Sequence, residues 1–254
     1  MQKSGVQRAT DRSPQWGTFS NDIRMTGDGS ALHMVLSGDP GLYAIVALSL
    51  TVSISAVLFA TLIGVPFGAF MALTRFPGRE AAIVALNAMM GVPPVVIGLA
   101  IFLLLSRSGP LGEWGLLFTP QAMIIAQTVM VAPIMAALSR QTIEDLWADY
   151  REELGAMNVG PARRIATLIW DARFSLVTAL LAGFGRAASE VGAIIIVGGN
   201  IDGFTRTMTT AIALETSKGD LPLAIGLGMV LIFIVIAINA LAWGARRAGE
   251  RYAG

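Results

Sequence analysis

The chain has 254 residues, of which 54% are hydrophobic and only 14% charged, against about 25% charged in an ordinary soluble domain; most of its surface therefore cannot face water. A net charge of +1 gives nucleic-acid binding no electrostatic support. With no cysteine and one histidine, His33, the chain has no disulfides, no thiol catalysis and no cysteine- or histidine-based metal cluster.

Residues 1–40 carry Lys3, Arg8, Arg12 and Arg24 among Ser, Gly and Asp, without an apolar core. No signal-peptide h-region stands out, and the segment reads as a flexible or amphipathic lead-in. Roughly 20 mostly apolar residues cross a bilayer as a helix, and five stretches qualify: 44–73, 81–105, 121–138, 174–197 and 221–243. Backbone groups in lipid must be bonded within their own segment, so these runs are predicted helices.

Pro66 is the expected bend of the first stretch. Pro93 and Pro94 interrupt the second, where each removes a backbone donor. Two readings stay open there: a kink on the pore side, or a break between a short helix and a span. Met89, Met90, Met130 and Met135 are expected to pack or to face lipid.

Between the third and fourth stretches the chain reads RQTIEDLWADYREELGAMNVGPARRIATLIWDAR, residues 140–173. The pattern predicts two short helices with a glycine-containing turn on the inner membrane face, Pro161 suiting the first turn of the second. Its small residues and apolar face suit docking into a partner's groove; anchoring to lipid headgroups is the other reading.

In the fourth stretch Arg186 and Glu190 are four residues apart, which on one helix puts them on one face. A charge near the bilayer centre costs on the order of 3 kcal/mol, so such residues face a bundle interior or wet cavity. They are expected either to line a path, with Ser189, Pro93 and Pro94, or to form an ion pair that fixes packing. Gly198-Gly199-Asn200 supplies a glycine stop, followed by Asp202, Thr205, Arg206 and Thr209 in a loop that is either simply solvated or an external contact and gate.

Basic residues set the orientation. Arg75, Arg79, Arg140, Arg151, Arg163, Arg164, Arg173, Arg246, Arg247 and Arg251 share one side, against Arg107, Arg206 and Lys218 on the other. The expected cytoplasmic side holds residues 141–173 and the tail 246–254. The four basic residues of the lead-in then fall outside, an awkward placement that a sixth N-terminal element would relieve.

EELGAMNVG, residues 152–160, resembles the "EAA" loop that ABC importer permeases present to their ATPases. Gly160 matches the family glycine, and Gly155 and Ala156 fall at its small positions. Leu154 stands where the glutamate is usual, with Glu153 one place early. GVPPVVIGLAIFLLLSRSGPLG (91–112) and GFGRAASEVGAIIIVGGNIDGFTRTMTTAI (183–212) resemble molybdate and tungstate permeases, the second in its tungstate form. The resemblance covers about residues 40–245.

It implies an all-α integral membrane protein, a type I ABC importer permease-like bundle of five or six transmembrane helices spanning residues 41–245. It also implies a homodimer in the cytoplasmic membrane of a bacterium or archaeon, joined by ABC ATPases and an extracytoplasmic oxyanion-binding protein. Glu152, Glu153, Gly155, Ala156, Gly160 and Pro161 would dock the ATPase, and Gly199, Asn200, Thr205 and Arg206 would face outward. No phosphate-binding loop occurs, so the chain is expected not to be an enzyme and to hold no cofactor, ATP and Mg2+ residing on the ATPase. The expected cargo is tungstate, with molybdate or sulfate as alternatives. A secondary transporter or channel is the rival class, though inverted repeats, its usual sign, are not seen.

Overall fold

The computed structural model describes residues 40–253, so the lead-in and His33 lie outside it. Among the described residues nine α-helices follow one another: α1 (Pro40–Leu73), α2 (Arg79–Met90), α3 (Pro94–Leu105), α4 (Pro120–Ala156), α5 (Pro161–Asp171), α6 (Arg173–Ala188), α7 (Gly192–Gly198), α8 (Met208–Lys218) and α9 (Leu221–Ala253). A single 3-10 turn, Gly112–Trp114, precedes α4, and no strand occurs among the described residues. Three helices, α1, α4 and α9, are long and apolar enough to cross a membrane, and up to five crossings result if each bent pair is one span.

The departures from the sequence expectation are breaks and extensions. The second predicted span is α2 and α3, bent by 99°; of the two readings of Pro93-Pro94, the break is the one adopted. Pro94 opens α3 and Pro93 precedes it at ψ 131°, as expected where a following proline disfavours the helical region. Pro66 sits inside an unbroken α1.

The third span does not stop at residue 138. No glycine or proline interrupts residues 134–154, and α4 runs 37 residues to Ala156. The first of the two expected short helices is therefore the end of α4, while the second, α5, starts at Pro161 as expected. The fourth span is broken on both sides: α5 and α6 meet at 71°, and α6 ends at Ala188 with Ser189 as its cap. Residues 246–253 continue α9.

Small residues bring the helices together. A Cβ on Gly64 would lie 2.7 Å from Met135 Cβ, and one on Gly68 2.2 Å from Ser139 Oγ and 2.4 Å from the Ala136 carbonyl. Two glycines one turn apart thus let α1 lie directly on α4, the close approach used by membrane helices. Around this seam Val57, Ala60, Val65 and Ala69 of α1 pack with Val131, Met135 and Ile143 of α4 and with Leu176, Ala179 and Phe184 of α6. A second core joins Val52, Ile101, Leu105, Met123, Ile194 and Val197. The outward faces of α1 and α9 expose Leu58, Phe59, Leu62, Ile232, Phe233 and Ile236, a surface suited to lipid. Met130 and Met135 are buried, whereas Met89 and Met90 are exposed.

Candidate functional site

The two broken spans meet at their breaks. A Cβ on Gly98 of α3 would lie 2.7 Å from Ala193 Cα of α7, and one on Gly192 would lie 2.9 Å from Val95 Cγ2. The first turns of α3 and α7 are therefore in contact, which brings the Pro93-Pro94 step beside the segment that holds Glu190. Freed backbone groups at such breaks must find partners within the protein, and polar side chains supply them. The fully buried Gln127 of α4 donates from Nε2 to the Ala187 carbonyl at 2.9 Å. Glu190, 6% exposed, accepts from the Ala193 N–H at 3.1 Å through Oε1. Thr209 donates to the Glu190 carbonyl at 2.8 Å, and the Met208 N–H donates to Ser49 Oγ at 2.8 Å. Ser49, Ser53, Gln127, Thr207 and Thr209 line one small cavity against Phe184, Ile194 and Leu231. Polar atoms of α1, α4 and α8 thus gather at the α6–α7 break.

Arg186 and Glu190 are not on one helix face, because α6 ends between them. No ion pair joins them among the described residues; Glu190 caps α7 instead, and the contact recorded for the Arg186 guanidinium is Met130 Sδ at 3.9 Å. Ser189 is exposed and donates to the Arg186 carbonyl at 3.1 Å. The face of α6 that its neighbours leave open is unlike those of α1 and α9. Its exposed residues are Ser175, Thr178 and Ala182, with Ser189 just beyond the helix and Gly185 and Arg186 half-exposed. No large apolar side chain stands among them, so this face is poorly suited to lipid.

At the other end of the molecule, Glu152, Glu153, Gly155 and Ala156 occupy the last turn of α4, all exposed. Met157 is 74% exposed, Asn158 takes a left-handed φ of 49°, and Gly160 and Pro161 open α5. A Cβ on Gly155 or Gly160 would meet no described atom within 4 Å. The described packing therefore does not require either residue to be a glycine. Arg164 lies over the Trp147 ring at 5.6 Å, tying α5 back to α4.

The sequence profile of the family described as "Binding-protein-dependent transport system inner membrane component" matches residues 64–250. The chain belongs to this family. It is a transport permease component, and not itself a catalyst. It is 43% identical over 211 residues to a "Probable anion ABC transporter permease protein" of Haloferax volcanii, covering 81% of this chain and 90% of that one. It is 39% identical to a "Tungstate uptake system permease protein TupB" of Peptoclostridium acidaminophilum, covering 84% and 94%. A protein of the same description from Campylobacter jejuni is 34% identical, covering 86% and 91%. Relatives named as molybdenum and sulfate permeases match at 30% and 27% identity. The all-α membrane architecture expected of a type I ABC permease is the one observed.

The remaining residues singled out in this permease, Gly199, Asn200, Thr205 and Arg206, form one knot. Gly199, at φ 73°, closes α7 by donating to the Ile195 carbonyl at 2.9 Å, the glycine stop expected there. Thr205 is fully buried; its hydroxyl donates to the Gly198 carbonyl at 2.6 Å and accepts from the Ile201 N–H at 2.9 Å. Arg206 pairs with Asp202 at 2.9 Å, and Asn200 donates to the Thr210 carbonyl at 3.5 Å. Thr205 therefore shapes the loop from inside.

Two features escaped the sequence reading. Gln127 is a polar residue inside the apolar run 122–138, a signal that was available. The contact between Arg79 and Glu144 joins residues 65 apart and leaves no local pattern. No group of acidic or histidine residues fit to hold a metal occurs among the described residues.

Proposed function

We propose that this chain is the membrane-spanning permease subunit of an ATP-driven tungstate importer. The observation that carries this reading is the match, over 84% and 86% of the chain, to two proteins named as tungstate uptake permeases. In this reading two copies form a homodimer in the cytoplasmic membrane, above a dimer of ABC ATPases and below an extracytoplasmic binding protein. ATP and Mg2+ belong to the ATPases, and this chain holds no cofactor. The side rich in arginine, including residues 141–173, faces the cytoplasm.

The docking element is the exposed turn formed by Glu152, Glu153, Gly155, Ala156, Gly160 and Pro161. ATP-driven closure of the ATPases displaces this element, and the two permeases rock between inward- and outward-open states. The path runs along the α6 face that carries Ser175, Thr178, Arg186 and Ser189, beside the Pro93-Pro94 and Glu190 breaks. Tungstate is a tetrahedral dianion, and the Arg186 guanidinium, which pairs with no carboxylate among the described residues, attracts it. Glu190 would repel it, and its place as the cap of α7 suits a gate hinge better than a ligand. Gly199, Asn200, Thr205 and Arg206 shape the outward surface that meets the binding protein.

Proteoliposomes holding permease, ATPase and binding protein test the proposal. ATP-dependent uptake of tungstate in preference to molybdate and sulfate is expected. Preferred molybdate uptake would move the assignment to the molybdenum relatives, and uptake without ATP would make the chain a secondary transporter or channel. The docking assignment fails if replacing Gly160 by a bulky residue leaves both ATPase retention and uptake intact.

A further inference from the structure

Arg79, the first residue of α2, binds in two directions. Its Nε donates to the Met71 carbonyl near the end of α1 at 2.9 Å, and its Nη2 donates to Oε1 of Glu144 on α4. The second carboxylate oxygen of Glu144 accepts from Arg140, one turn earlier on α4. The three side chains are between 16% and 30% exposed, so the cluster is largely withdrawn from solvent. Every other ion pair recorded among the described residues is local: Arg79–Glu80 in neighbours, Arg206–Asp202 and Lys218–Glu215 within one turn. Among the ion pairs of the described residues, Arg79–Glu144 is the one that joins separate helices.

Its position gives this tie mechanical meaning. From Glu144 the helix runs on without interruption to Ala156, twelve residues or about 18 Å of rigid rod ending in the docking turn. On the other side of the tie stands the short elbow from Leu73 to Arg79, and beyond it α2, which leads to the 99° break before α3. Leu86 and Met71 pack with Ala136 and Ala137 of α4, so an apolar contact already holds α2 in place. A half-buried carboxylate with both oxygens taken by arginines adds directional registry to that contact.

We propose that Glu144, held by Arg79 and Arg140, is the positioning residue that transmits displacement of the docking end of α4 to the α1–α2 elbow and so to the broken α2–α3 span. The inference rests on the reading that the end of α4 docks an ATPase.

The test uses the full transporter in proteoliposomes, with tungstate as the transported probe. Glu144→Gln and Arg79→Gln are compared with the triple exchange Arg79→Glu, Arg140→Glu, Glu144→Arg, which rebuilds both pairs with reversed sign. Retained ATPase, ATP hydrolysis and tungstate taken up per ATP are measured together. The single variants are expected to keep the ATPase and hydrolyse ATP, with uptake per ATP falling about five-fold, within the range found for residues that carry coupling. The triple exchange is expected to recover much of that loss. Unchanged uptake per ATP in both single variants overturns the proposal. So does a loss that follows complex assembly alone and is not recovered by the exchange, since that marks a purely structural tie. Failure of the unaltered chain to retain an ATPase would instead sink the docking reading, and this inference with it.

Discussion

Gly68→Ala tests whether α1 and α4 are held by close approach. The added Cβ would lie 2.2 Å from Ser139 Oγ, 2.4 Å from the Ala136 carbonyl and 2.9 Å from the Arg140 N–H. Two of the three are backbone atoms of α4, which cannot rotate away, so the helices must separate by about an ångström. Overpacking of this kind costs roughly 1–3 kcal/mol. Alanine returns up to about 1 kcal/mol through its better helix propensity, leaving a net loss on the order of 1 kcal/mol from the middle of that range. For a chain of this size that lowers the melting temperature by about 2–4 °C. The control is Gly228→Ala in α9, where an added Cβ meets no described atom within 4 Å and propensity alone operates. Thermal unfolding of both variants in the same detergent decides the matter. If Gly68→Ala melts no lower than Gly228→Ala, the glycine seam is not what holds the two helices.

Other substitutions probe the breaks and the path. Gly98→Ala places a Cβ 2.7 Å from Ala193 Cα and is expected to cost about 1–3 kcal/mol, read as a lower melting temperature. Gln127→Leu removes the side-chain donor to the Ala187 carbonyl, which keeps the Glu190 N–H at 3.2 Å; a loss of roughly 0.5–1.5 kcal/mol is expected, and an unchanged melting curve would show that the break needs no such support. Thr205→Val removes the hydroxyl that serves Gly198 and Ile201, with about 2 kcal/mol or more lost, while Thr205→Ser holds its stability. Arg186→Gln should lower tungstate uptake about ten-fold, equivalent to about 1.4 kcal/mol, with ATPase retention unchanged; equal uptake would remove Arg186 from the path.

The length of the apolar runs made the membrane helices legible, because a run of some 20 apolar residues has few other uses. Punctuation was legible where it is backbone chemistry: Pro161 at the start of α5 and Gly199 at the end of α7 act where they stand in the chain. The same chemistry was read incompletely at residues 189–191. No proline marks that break, and the segment leaves the helix because Glu190 and Thr209 satisfy the backbone that it frees, a tertiary cause. The pairing of Arg186 with Glu190 failed for that reason, since spacing of four implies one face only while the helix persists. Conversely, α4 outlasts its apolar stretch because charge density ends a membrane span and not a helix. Buried Gln127 could be noticed but not assigned a partner, because Ala187 is 60 residues away.

The bond from the Met208 N–H to Ser49 Oγ spans 159 residues of sequence. Ser49 belongs to the first described helix to leave the ribosome, and Met208 to the last but one. During synthesis α1 can enter the membrane with the Ser49 hydroxyl donating to the Ile45 carbonyl, a bond of 2.7 Å within the helix, but the acceptor side of that hydroxyl must wait until most of the chain has been made. The polar lining around Gln127 and Thr209 is assembled at that late closure. A truncated or stalled chain would present hydroxyl and amide groups to lipid, a state that membrane quality control is suited to detect.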